Sequence, residues 1–97
     1  MPFDIVLVPQ AIEALRDLTA NVRAVVRDAL ETHLRYEPTK TSRSRIKRLR
    51  GLSRPQYRLR VGDVRVFYDV DGRSVQVLAI VLKTDAARWL EEVGERS

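Results

Sequence analysis

The chain has 97 residues, 44% hydrophobic and 32% charged, with 18 Lys and Arg against 13 Asp and Glu for a formal net charge of +5. That length can bury a core without staples, and one domain over residues 1–97 is expected. With no cysteine and a single histidine, a disulfide framework, Cys-ligated zinc and thiol catalysis are excluded, and neither a metal nor a cofactor is expected.

Phe3 to Val8 is a short β-branched run stopped by Pro9, which reads as an edge strand. Met1 leads into it without a basic segment or a long apolar run, so no secretion signal is expected. Ala11, Ile12, Leu15 and Leu18 follow helical spacing, Thr19-Ala20-Asn21 breaks it, and Val22, Val25, Val26, Ala29, Leu30 and Leu34 restart it until Glu37-Pro38. The two helices form a hairpin. After Pro38 the period becomes two. A strand over 45–50 ends at Gly51. Tyr57 to Val61 and Val64 to Val70 alternate on either side of Gly62-Asp63, a two-residue turn with Gly where a type II′ turn wants it. Asp71-Gly72 signals a second tight turn. Ser74 to Leu82 is nearly all apolar, as in a covered central strand, and Thr84 or Asp85 caps a last helix, Ala86 to Val93. The longest apolar run, Val77 to Leu82, is too short to cross a bilayer, and a cytoplasmic location is expected. The fold class is α+β: an N-terminal strand, a helical hairpin, a four-stranded antiparallel meander and a short C-terminal helix, with the hairpin covering one sheet face.

Charge is distributed unevenly. From Pro38 through Gly62 there is no Asp or Glu, and Thr39 to Arg60 holds Lys40, Arg43, Arg45, Lys47, Arg48, Arg50, Arg54, Arg58 and Arg60, half of all the basic residues. The other nine stand among 13 acids, a net of −4 for the rest of the chain. A local positive field of this kind suits a polyanion or an acidic partner.

The Gly62-Asp63 turn fixes a register. Val61 pairs with Val64, Arg60 with Arg65, Leu59 with Val66, Arg58 with Phe67 and Tyr57 with Tyr68. Alternation puts Tyr57, Leu59, Val61, Val64, Val66 and Tyr68 on the core face, and Arg58, Arg60, Arg65 and Phe67 on the open one. Like charges directly opposite, as in Arg60 and Arg65, are destabilising unless an anion uses them. Three guanidiniums beside an aromatic ring suit a phosphate with a base next to it. The blander reading, a solvated basic strand, is disfavoured by the acid-free span and the opposed arginines.

These segments, and above all YRLRVGDVRVFYDV with IKRLRG before it and VLAIVLK after it, resemble the RelE/ParE toxin superfamily, the toxin half of bacterial type II toxin–antitoxin pairs. The resemblance covers essentially the whole chain in the family's element order. It implies a cognate acidic antitoxin and one of two targets: messenger RNA cut on the ribosome by the RelE branch, or DNA gyrase inhibited by the ParE branch. The RelE pattern carries catalytic roles onto Arg58, Arg60, Arg65 and Lys83. It places an RNA-facing aromatic on Trp89, where the family has Tyr. Trp can stack but has no proton to give as an acid. The remaining RNA contacts fall to Lys40, Arg43, Arg45, Lys47, Arg48, Arg50, Arg54 and Phe67. RNA cleavage by 2′-OH attack needs a base, a stabilised phosphorane and a protonated leaving group. Arginine serves the second need well and the first badly, so Lys83 is the one cation of the set with a tunable pKa. By parity with Val75, Val77, Ala79 and Val81 it points to the core, but it stands at the strand end. His33 reads as structural, Asp85 as a helix cap, and Tyr57 and Tyr68 as core. The favoured expectation is a metal-independent endoribonuclease that inhibits translation. The alternatives are a ParE-like gyrase inhibitor and a basic RNA-binding module without catalysis.

Overall fold

Pro9 marks the first junction. In the computed structural model, which describes residues 1–97, strand β1 (Asp4–Leu7) ends just before it. Pro9 then opens helix α1 (Pro9–Asp17), where its missing N–H is one of those that lack a helical partner anyway. Thr19 opens α2 (Ala20–Ala29), its hydroxyl accepting from the Val22 N–H at 3.4 Å. The joint between the helices is held by Arg23, whose guanidinium donates to the carbonyls of Leu15, Arg16 and Leu18 at 3.2, 2.8 and 2.8 Å. These lie at the end of α1, where carbonyls lack partners within the helix, and the Leu15 carbonyl also accepts the Leu18 N–H at 3.3 Å. Helix α2 runs on into a π-helical turn, Leu30–Leu34, which apolar spacing alone did not reveal.

The period-two half gives β2 (Ile46–Arg48), β3 (Leu52–Arg54), β4 (Tyr57–Val61), β5 (Val64–Asp71) and β6 (Ser74–Leu82). A 3-10 turn, Lys83–Asp85, leads into α3 (Ala86–Val93) and a final β7 (Glu95–Arg96). Five strands form one sheet in the order β1-β6-β5-β4-β2. The four-stranded antiparallel run β2-β4-β5-β6 is the expected meander, and β1 adds a parallel edge beside β6. Gly62 (φ +55°) and Gly72 (φ +59°) each open a two-residue loop whose second residue has negative φ, the type II′ pattern.

Three local readings are corrected. The strand expected over 45–50 is only Ile46–Arg48, because Gly51 at φ +76° turns the chain into β3. Strands β3 and β7 form a separate two-stranded sheet that no alternation signalled, since it forms only when α3 returns the C-terminus to Leu52. A bulge interrupts β6: Phe67 pairs with Ala79 but Tyr68 with Val77, leaving Leu78 unopposed. Side-chain parity reverses there. Val75, Val77 and Ile80 enter the core, whereas Ala79 and Val81 turn to the opposite face across from Phe67 and Arg65. The helical hairpin supplies Ala11, Leu15, Val26, Leu30 and Leu34 to that core. The other face is left partly open, covered at one end by α3. No helix is long and apolar enough to cross a membrane.

Candidate nucleic-acid interface

The β4–β5 register is the expected one at all five pairs, so Arg60 stands opposite Arg65 and Arg58 opposite Phe67. Strand β2 adds Lys47 opposite Arg58, and β6 adds Val81 opposite Arg65. Two neighbouring rows thus run across the open face: Lys47-Arg58-Phe67-Ala79 and Arg60-Arg65-Val81. Neither contains an acid. The chain's ion pairs are Arg35–Glu31, Lys40–Glu37, Arg54–Asp69 and Arg88–Asp85, so no carboxylate reaches Arg58, Arg60, Arg65, Lys47 or Lys83.

Arg58 is the centre of the cluster. It is half-buried, and its Nε is the one buried side-chain polar atom without a hydrogen-bond partner in the chain. Burial holds its pKa below the ordinary arginine value, and Arg65 and then Arg60 push the same way. It nonetheless stays a cation at any physiological pH. A partly desolvated, unpaired charge is costly to keep, and an oxyanion beside the guanidinium would offset that cost. Arg65 is pinned at the turn, its Nη1 donating to the carbonyls of Gly62 and Val64 at 2.7 and 3.0 Å. Arg60 and Lys47 are exposed.

The remaining basic residues divide into free and engaged. Lys40 and Arg54 are tied to Glu37 and Asp69 at 3.3 and 3.1 Å. Arg48 donates to the carbonyls of Leu49 and Gln56 and lies 5.3 Å above the Tyr57 ring. Arg43 and Arg50 are exposed. Arg45, just before β2, accepts the Arg60 N–H on its carbonyl at 2.9 Å and reaches the Arg60 carbonyl with Nη1 at 3.4 Å. It therefore extends the arginine cluster to the sheet edge.

Phe67 requires a correction. Expected on the open face as a platform for a base, it is fully buried, because α3 lays Trp89 over it at 5.0 Å between ring centroids and 10° between planes. Trp89 itself is half-buried, so one ring face is spent on packing. Asp85 stands at the N-cap of α3, but its carboxylate accepts from Arg88 Nη2 at 3.0 Å and caps no backbone N–H. Lys83 is exposed, and its N–H donates to the Asp63 carbonyl at 2.7 Å, which fastens the end of β6 to the hairpin turn. The bulge removes the parity that aimed it at the core. Tyr68 packs under Tyr57 at 5.4 Å and donates its hydroxyl to the Pro38 carbonyl at 2.6 Å; burial, with Tyr57 adding to it, drives its pKa upward. Neither tyrosine belongs to the arginine rows. His33, read from the sequence as structural or surface, shares a cavity lining with Arg45: burial and then Arg45 lower its pKa. Only the fold joins these residues, because 12 positions and a change of structure separate them. No group of His, Asp and Glu side chains has the arrangement of a metal site.

No family model matches the chain, and no curated relative does. Solved structures do match. The toxin–antitoxin complex RelBE2 of Mycobacterium tuberculosis aligns at a TM-score of 0.69 and 23% identity over 84% of this chain and 92% of that one. The RelE–RelB complex of Pyrococcus horikoshii aligns at 0.65 and 27% identity, over 86% and 97% of the two chains. The Escherichia coli toxin RelE, in the free state as a double arginine-to-alanine mutant, aligns at 0.69 and 23% identity over 95% and 94%. With the hairpin-on-sheet architecture, these alignments show that the chain has the fold of the RelE-like toxins.

Proposed function

We propose that this chain is the toxin of a type II toxin–antitoxin pair and that it is a ribosome-dependent endoribonuclease acting on messenger RNA in the cytoplasm. The observation that carries this reading is Arg58: a half-buried guanidinium with an unpartnered Nε, flanked by Arg60 and Arg65 and reached by no acid. In this reading the three arginines grip the scissile phosphate. As the 2′-oxygen attacks phosphorus and the P–O5′ bond breaks, they stabilise the added negative charge by charge-assisted hydrogen bonds. The 2′-hydroxyl gives up its proton and the leaving 5′-oxygen takes one up, so the products are a 2′,3′-cyclic phosphate and a 5′-hydroxyl. Lys83 assists proton transfer or charge stabilisation. The arginine rows hold no histidine, carboxylate or tyrosine, so the chemistry leans on orientation of the RNA by the ribosome. The cognate antitoxin offers an acidic segment to the same face.

One observation favours a second reading. Trp89 occupies the position where the family resemblance puts Tyr, has no acidic proton, and is packed on Phe67. That favours a toxin that does not cleave RNA, including a gyrase inhibitor working by protein contact. Primer extension on a translated message, run beside a gyrase supercoiling assay with the same preparation, separates the two. Cuts in the translated message with unchanged supercoiling support the nuclease. An intact message with inhibited supercoiling overturns it.

A further inference from the structure

Arg45 faces two ways. Toward the sheet it is bonded to Arg60 through both backbone and side chain. On its other side it lines a cavity of about 250 Å³ with Thr32, His33, Glu37, Lys40 and Ser42. We propose that this cavity is a second phosphate subsite, in which Arg45, His33 and the Ser42 hydroxyl hold a phosphodiester group of the RNA strand gripped by Arg58, Arg60 and Arg65. The inference rests on the RNA-binding reading above and adds a ligand group that the arginine face does not supply.

The donor set fits an anion. Ser42 Oγ already accepts from the N–H groups of Arg45 and Ile46 at 3.0 and 3.4 Å, so its own O–H is left to donate outward. The one acid present, Glu37, is taken up by Lys40 at 3.3 Å. His33 completes the set. It lies in the last turn of its helix, where the unpaired carbonyls favour imidazolium. Burial and then the facing Arg45 push its pKa below the ordinary histidine value in the free protein. A phosphate between Arg45 and His33 replaces that repulsion with a shared counter-charge, so binding draws a proton onto the ring. The groups facing His33 are Arg45 from just before β2 and Lys40 with Glu37 from the loop after the helix.

His33 is the only histidine, so its Cε1 proton gives one imidazole resonance for NMR titration of the full chain. A short single-stranded RNA should raise the His33 pKa by about one unit or more. Because one unit is tenfold, RNA affinity should then rise as pH falls through the His33 titration, by up to about tenfold for each unit the pKa rises. His33→Gln should bind without that pH dependence, and Arg45→Ala should abolish the RNA-induced shift. Inorganic phosphate is the second probe, since it reports on the subsite whatever the arginine face does. A His33 resonance that responds to phosphate while RNA fails to bind keeps the subsite and overturns the RNA reading. Bound RNA with an unmoved His33 pKa, or equal pH dependence in His33→Gln, overturns the subsite.

Discussion

Arg58 and Trp89 show how far single residues could be read. The register that puts Arg58 beside Arg60 and Arg65 follows from one Gly-Asp turn, and each partner is where alternation puts it. What alternation does not contain is the second layer: α3 lands on Phe67 and turns an open aromatic into a buried one. Trp89 is therefore first a packing residue. Trp89→Phe keeps a flat ring over Phe67 and is expected to melt within a few degrees of the parent. Trp89→Ala forfeits an aromatic pair worth about 0.5–1.5 kcal/mol together with half-buried apolar area. Its Tm should fall by roughly 10 °C, at about 4–8 °C per kcal/mol for a chain of this size. Thermal unfolding of the two variants checks this, and an unchanged Tm for Trp89→Ala would remove the stack from the account of α3. Cleavage per folded molecule, measured on the same samples, then tells whether Trp89 also touches RNA.

At the scale of elements, the helical hairpin and the three long strands were legible because their periods are clean and their stops are chemical: Pro9, Pro38, Gly62 and Gly72. The bulge at Leu78 was not, because a run of apolar residues reads the same in either parity. The β3–β7 pair was hidden for a different reason, its partners being joined only after α3 folds back. The hairpin turn is the element on which the interface depends most, since a one-residue slip would send the arginines to the core face. Gly62 holds φ +55° with open space where a side chain would go, so the cost of a substitution is backbone strain alone. Gly62→Ala should lose about 1–2 kcal/mol and Gly62→Asn less, because Asn visits left-handed backbone more readily. Equal melting of Gly62→Ala and the parent would mean that the turn geometry is not what sets the register.

For the whole molecule, sequence asymmetry becomes spatial asymmetry. The acid-free span supplies the outer strands and the edge of the sheet, while the more acidic remainder supplies the hairpin that covers the opposite face. Counterion release should make RNA binding steeply salt-dependent. The five basic residues without an acid at the arginine face, Arg45, Lys47, Arg58, Arg60 and Arg65, imply a slope of log affinity against log salt of about −3 to −4 for a single strand. A slope near zero would mean that this face does not bind the backbone. The most direct test of the account compares the parent with Arg58→Met in cleavage of ribosome-bound message, with thermal unfolding of both. Arg58 is held against its own desolvation and two like charges, so Arg58→Met should melt at the same temperature or up to about 4–8 °C higher. Cleavage per folded molecule should drop by about 10²–10³-fold, the usual effect of losing one preorganised donor to the reacting group. Undiminished cleavage by a stable Arg58→Met protein, or a large loss of stability with cleavage falling only in step with it, would contradict the claim that Arg58 is kept for the phosphate.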